Sequence, residues 1–171
     1  MRVEDSVLNR YSLGAERREE SLCCPVEYDR RYLEVIPAEV IERDYGCGDP
    51  SAYVRPGETV LDLGSGSGKI CFIAAQVVGA NGRVIGVDMN PDMLALARQH
   101  QPTVAARIGY DNVSFVRGKI QDLRTDVDEV DRYLARSPIR SQAELAAFKA
   151  AVREQGEQRP MVVLSLGMML L

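Results

Sequence analysis

The sequence holds a single histidine, His100, and its four cysteines (Cys23, Cys24, Cys47 and Cys71) include no C-x-x-C pair. Structural zinc sites draw their ligands from closely spaced cysteine and histidine pairs, so this composition argues against one. Basic residues are not in excess. There are 21 Lys and Arg against 25 Asp and Glu, a net charge of −4, with no long block of one sign. Phosphate backbones need a basic face, so no nucleic-acid partner is expected. No stretch approaches the roughly 20 apolar residues that span a bilayer. The opening "MRVEDSVLNRYSLGAERREE" has no apolar core with a cleavage site behind it, so it does not read as a secretory signal. A cytoplasmic protein without membrane contact is the expectation, and in that reducing setting the cysteines are thiols. Internal repeats and low-complexity tracts are missing as well.

What remains is an ordinary globular composition, 46% hydrophobic and 27% charged, over 171 residues. That is enough chain for one domain with a core and too little for two. Residues 3–20 are polar with scattered Val, Leu and Tyr, and read as a surface helix or two. Residues 21–57 hold Pro25, Pro37, Pro50, Pro56 and "YGCGDP", a density of Pro and Gly that predicts a structured loop region with a helical turn or two. Together they form an N-terminal helical and loop extension, residues 1–57, ahead of a second region at 58–171.

From Glu58 the pattern alternates. "TVLDL" (59–63) is a short apolar strand running into a glycine loop, and "KICFIAAQVVG" (69–79) an apolar helix stopped at Gly79. "RVIGVD" (83–88) is a second strand, and "NPDMLALARQHQ" (90–101) a helix with Asn90 as N-cap and Pro91 at its first position. "NVSFVRG" (112–118) is a third strand. A polar helix over about 141–155 and a fourth strand, "MVVLSL" (161–166), complete the order. Strand and helix in alternation predict an α/β, Rossmann-like fold: a parallel doubly wound sheet of about four strands, with ligands at the strands' carboxyl ends.

"VLDLGSGSGK" (60–69) decides the ligand class. An ATP-type P-loop, G-x-x-x-x-G-K-[ST], would need glycine at Leu63 and a hydroxyl at Ile70. The dinucleotide fingerprint G-x-G-x-x-G, begun at Gly64, would need glycine at Lys69. Both fail. The arrangement left is Asp62-x-Gly64-x-Gly66-x-Gly68, with Ser65 between the first two glycines. Glycines let the main chain pass close to a ligand, and the helix behind them offers free N–H groups to an anion such as a carboxylate. Asp62 suits an ammonium or sulfonium charge. Asp88, ending the second strand, is placed to accept two ribose hydroxyls.

This combination resembles the class I S-adenosylmethionine-dependent methyltransferases. The resemblance implies that the glycine loop holds the methionine part, that Asp88 holds the ribose, and that Met89, Ile120, Gln121 and Asp122 line the adenine pocket. "SLCCPVEYDRRYLEVIPAEVIERDYGCGDP", followed by "VRPGETVLDLGSGSGK", "GVDMN" and "GKIQDL", is more specific. It is similar to the arsenite methyltransferase family over roughly residues 7 to 125. That likeness implies S-adenosylmethionine as cofactor, a thiol reductant, and a small-molecule substrate, arsenite, held by thiolates. Arsenic(III) is soft, and thiolates select soft centres. The implied catalytic residues are Cys47 with Cys23 or Cys24, with Tyr45 near the cofactor. Cys71 reads as a small core residue and His100 as a surface or dipole-compensating residue near a helix end. Two further cysteines and later strands of the family pattern are missing, so the chain reads as a truncated or N-terminal portion. The alternatives are a cofactor-binding remnant without turnover and a methyltransferase acting on another small molecule.

Overall fold

The computed structural model describes residues 3–16, 27–46, 48–158 and 169–170. In chain order its elements are α1 (Val3–Glu16), α2 (Arg30–Leu33), α3 (Ala38–Glu42), a 3-10 turn (Pro50–Tyr53), β1 (Thr59–Leu63), α4 (Lys69–Val78), β2 (Arg83–Asp88), α5 (Pro91–Ile108), β3 (Val113–Arg117), α6 (Val127–Arg136), α7 (Gln142–Gln158) and β4 (Met169–Leu170).

The four strands form one parallel sheet in the order β3-β2-β1-β4. The run β1 to β3 steps one way and β4 joins β1 on its other side, so the loop after β1 lies where the connections diverge. That divergence opens a crevice at the carboxyl end of a parallel sheet. The predicted strand at 161–166 lies outside the described residues.

Helix α4 explains the core. Seven apolar side chains from Ile70 to Val78, Phe72 and Cys71 among them, are buried, and a helix apolar on nearly every face has to be interior. Phe72 meets the Phe115 ring edge-on at 5.6 Å between centroids. Gly86 of β2 leaves the room these groups use, because a Cβ there would stand 2.7 Å from Phe115 and 2.8 Å from the Cys71 sulfur. Leu61, Ile85 and Val87 gather on the opposite sheet face with Leu63, Val116 and Leu123 packed against them.

Two expectations change and one is sharpened. The helix predicted over 90–101 runs on to Ile108 through Pro102, because Val104 continues the buried face begun by Met93, Leu94 and Ala97. Gly109, at φ 87°, then closes it in the left-handed conformation. Helix α1 is a surface helix with one seated face: Gly14 and Ala15 are buried, Val7 and Leu13 are exposed, and Asn90 Nδ2 donates to Leu8 O and Ser12 Oγ at 3.3 and 3.2 Å. His100 is neither terminal nor exposed. Its Nε2 sits 2.7 Å from Glu39 Oε2 and ties α5 to α3. Helix α6 was not foreseen at all, although Asp126 caps it through the Glu129 N–H at 2.9 Å.

Candidate active site

The glycine loop is bent by its own backbone. Gly64, Gly66 and Gly68 sit at φ 83°, 50° and 87°, a region other residues enter only with strain. The N–H groups of Gly64 and Ser65 both donate to Val87 O, at 2.8 and 3.1 Å, which staples the loop to the end of β2. The three glycines do different things. A Cβ on Gly64 or Gly66 would meet nothing within 4 Å, whereas one on Gly68 would stand 2.7 Å from Phe115. Gly64 and Gly66 face a cavity; Gly68 faces the core and caps α4.

The cavity measures about 320 Å³, within the range of small-molecule sites. Its floor is the loop, with Asp62, Gly64, Ser65, Gly66 and Ser67; Asp88, Met89 and Asn90 bound one side, and Ile120 with Gln121 another. Helix α1 supplies a wall through Val7, Leu8 and Tyr11, and the segment after α3 supplies Arg43, Asp44, Tyr45 and Gly46.

Asp88 is already engaged. Its Oδ2 accepts from Gly66 N–H and its Oδ1 from Asn90 N–H, each at 2.8 Å. Each carboxylate oxygen retains a further acceptor position. Ser65 Oγ is buried with no hydrogen-bond partner, which in a cavity floor marks a position for a ligand's polar atom. Asp62 is buried as well, and desolvation pushes its carboxyl up to about 6 against the hydrogen bond donated by Cys71. Asp44 and Asp88 push it in the same direction. The Cys71 thiol donates to Asp62 Oδ2 at 3.1 Å. Burial, and then the neighbouring carboxylate, hold that thiol well above its ordinary range. Cys71 is thus a core residue, as expected, that also partners a cavity carboxylate.

Of the predicted ligand-holding set, Tyr45, Asp62, Gly64, Ser65, Gly66, Asp88, Met89, Ile120 and Gln121 line this one cavity. Asp122 is not among its lining. Its carboxylate accepts from Thr125 Oγ1 at 2.6 Å and from the N–H of Arg124 and Thr125, closing a turn, and those bonds lower its pKa. Cys23, Cys24 and Cys47 lie outside the described residues. Among the described residues no three His, Cys, Asp or Glu side chains cluster as a metal site, and no helix is long and apolar enough to cross a membrane.

Sequence reasoning missed the N-terminal wall and Lys69. Tyr45 reaches α1 by donating from its hydroxyl to Gly14 O at 3.0 Å and by an edge contact with Tyr11. Arg43 Nη1 donates to Ala15 O at 2.6 Å. Lys69, which follows the last loop glycine, is buried and pairs with Asp44 at 2.5 Å. A lysine closing a glycine loop on an apolar helix was the available signal, since such a residue needs a buried partner.

A family model described as "Methyltransferase domain" matches residues 55–158. The arsenite methyltransferase of Aquipseudomonas alcaligenes is 41% identical over 128 residues, covering 71% of this chain and 37% of that protein. That of Halobacterium salinarum is 52% identical over 80 residues, 46% of this chain and 19% of its own. The chain therefore spans well under half the length of these curated relatives. Among solved structures, an arsenic(III) S-adenosylmethionine methyltransferase from Chlamydomonas reinhardtii superposes with a TM-score of 0.52 at 36% identity, covering 67% of this chain and 36% of that one.

Proposed function

We propose, because this chain belongs to the methyltransferase-domain family, that its cavity binds S-adenosylmethionine and that the methyl acceptor is arsenic(III) held by cysteine thiolates. The cavity's residues fit the cofactor on three counts. Ser65 Oγ is buried and unpartnered, the floor at Gly64 and Gly66 is open where a Cβ would project, and three carboxylates, Asp44, Asp62 and Asp88, border the space. A bound S-adenosylmethionine would supply an electrophilic methyl group on a sulfonium.

The chain's own residues supply the rest. Helix N-termini receive anions, and Ile70 in the first turn of α4 lines the cavity, which suits the cofactor's carboxylate, with Ser65 Oγ as an added donor. Asp62 is ionised above a pH of about 6, so at neutrality it favours a cationic ligand over a neutral one. Asp88 offers its remaining acceptor positions to ribose hydroxyls. Met89 and Ile120 present apolar surface to an aromatic base, beside Gln121. On the acceptor side, Cys47 with Cys23 or Cys24 would hold the soft arsenic atom and leave its lone pair free to attack the methyl. The protein's contribution there is orientation and exclusion of water. A reducing, cytoplasmic setting and a thiol reductant go with this chemistry.

The observation that carries the reading is that Gly46, the chain neighbour of Cys47, lines the same cavity as the glycine loop. Calorimetry with S-adenosylmethionine, and alkylation of the reduced protein with and without arsenite, test the two halves separately. Arsenite should protect Cys47 and one of Cys23 or Cys24 while leaving buried Cys71 unchanged. Cofactor binding with an unprotected Cys47 would remove arsenic and favour another small acceptor. Binding and protection without methyl transfer would favour a cofactor-binding chain that lacks turnover.

A further inference from the structure

Lys69 has no part in the reading above, yet it is the most constrained charged group near the cavity. Its side chain is 7% exposed and its ion-pair partner Asp44 8%. The ammonium sits 3.9 Å from the centroid of the Tyr28 ring, so the cation is held from two sides, by a carboxylate and by an aromatic face. Asp44 Oδ2, the oxygen that meets Lys69, also accepts the Gly46 N–H at 3.0 Å. The Tyr28 hydroxyl, held protonated by burial, donates to Gly48 O at 3.0 Å. Both chain neighbours of residue 47 are therefore tied to groups that Lys69 holds. Lys69 itself is the first residue of α4, directly behind the cofactor loop. One more bond runs parallel to it, from Ser67 Oγ to Val40 O at 3.0 Å.

We propose that Lys69 is a positioning residue: by gripping Asp44 and Tyr28 it registers residues 44–46 and 48, the acceptor-side chain on either side of Cys47, against the cofactor loop. A buried pair is weak evidence for stability, because desolvating two charges offsets most of their attraction. Fixing one arrangement of two chain segments is the better-attested use of such a pair. Here the segments fixed are the one that bends round the methyl donor and the one that carries Cys47. The proposal deepens the arsenic reading by taking Cys47 as the acceptor-side thiol.

The test uses the full chain and variants Lys69→Met, Asp44→Asn, the double variant, Lys69→Arg and Tyr28→Phe. Iodoacetamide labelling of Cys47 is followed by mass spectrometry, with Cys71 as an internal reporter of global opening. Labelling requires neither arsenite nor methyl transfer, so this outcome stays readable if the arsenic assignment fails. Loss of the pair should change the Cys47 labelling rate by about tenfold, the worth of one ordinary local hold. The double variant should do no more than the larger single, Lys69→Arg should recover most of the effect, and Cys71 should stay silent. In Lys69→Met, Lys69→Arg and Tyr28→Phe, whose altered side chains lie outside the cavity lining, affinity for S-adenosylhomocysteine should change far less than the labelling rate. Tyr28→Phe keeps the ring and deletes only the bond to Gly48, so it should shift Cys47 in the same direction with little risk to folding. An unchanged Cys47 in Lys69→Met and Tyr28→Phe would overturn the proposal. So would Cys47 and Cys71 accelerating together, which would make Lys69 a general stabiliser.

Discussion

Replacing Asp88 separates direct contact from preorganisation. Asp88→Ala removes two bonds from backbone N–H groups to a carboxylate, at 2.8 Å each, together with whatever the carboxylate gives a ligand. Hydrogen bonds to a charged group are worth roughly 1.5–3 kcal/mol. Because Asp88 is only partly buried, water replaces much of what the two N–H groups lose. A stability loss of about 1–2 kcal/mol is expected, or roughly 2–8 °C in Tm for a chain of this size. The ligand's contribution is lost on top of that: about 1.5–3 kcal/mol, a 10- to 150-fold rise in Kd for S-adenosylmethionine. Asp88→Asn divides the two. Its carbonyl oxygen can take over one backbone bond, but its amide cannot accept at the other, so the loop is half-held and one ribose acceptor survives. Affinity intermediate between parent and Asp88→Ala is the expected order. Calorimetry on the three proteins, with thermal melts alongside, measures both effects. Equal affinities in parent and Asp88→Ala would show that the carboxylate shapes the loop without touching the ligand, and would refute the ribose assignment.

Other substitutions reach different links of the argument. Gly68→Ala puts a Cβ 2.7 Å from Phe115 at φ 87° and should cost about 2–4 kcal/mol by strain and overpacking; denaturant melts read it, and a loss below 1 kcal/mol on the order expected for a mild surface change would contradict the packing. Asp62 has its pKa raised from 3.8 to about 6 by burial, so the folded state binds its proton more tightly than the unfolded chain. Its contribution to stability is fully present below about pH 4 and is lost as pH rises through about 6. Asp62→Asn should therefore stabilise by about 1–3 kcal/mol at pH 8 and by almost nothing near pH 4, whereas a pH-independent difference would place the carboxylate in solvent. Gly14→Ala aims a Cβ at the Tyr45 ring, 2.7 Å away. Overpacking costs of about 1–3 kcal/mol outweigh the ~1 kcal/mol gained in helix propensity, so both Tm and cofactor affinity should fall; a higher Tm with unchanged affinity would mean α1 is not seated on Tyr45.

The sheet and its loop were legible because their signals are local. Three glycines behind an apolar pentapeptide, an acid ending the next strand, and Asn-Pro opening a helix each constrain backbone within a few residues. Asn90 does cap α5, accepting from the N–H of Asp92 and Met93. What the sequence hid depends on pairing across distance. Asn90 meets Ser12 from 78 residues away, and nothing in a polar amphipathic stretch says which partner its inner face will find. Pro102 reads as a helix stop, yet the buried face at Val104 outweighs one lost backbone bond. Helix α6 carries a legible signal that sequence reasoning passed over, an Asp126-x-x-Glu129 cap followed by an apolar stripe at Val127, Val130, Tyr133 and Leu134 among charged residues. Lys69 counted against a dinucleotide fingerprint and was then set aside; its partner is Asp44, outside any loop motif. Asp122 shows the reverse error, a motif position whose side chain serves its own turn.

The match to the methyltransferase domain begins at residue 55, while Val7, Leu8, Tyr11 and residues 43–46 of the cavity come before it. The site is thus a seam between two stretches of chain, one inside the matched domain and one ahead of it. On the reading proposed above, the matched stretch would supply most of the donor's contacts, Tyr45 would add one from ahead of it, and the candidate acceptor thiols belong to the preface. A chimera keeping 55–158 and exchanging the preface would inherit its grip on the donor while changing acceptor, provided Asp44 and Tyr28 come across to meet Lys69. On that proposal the lysine would be the stitch that lets such a graft take.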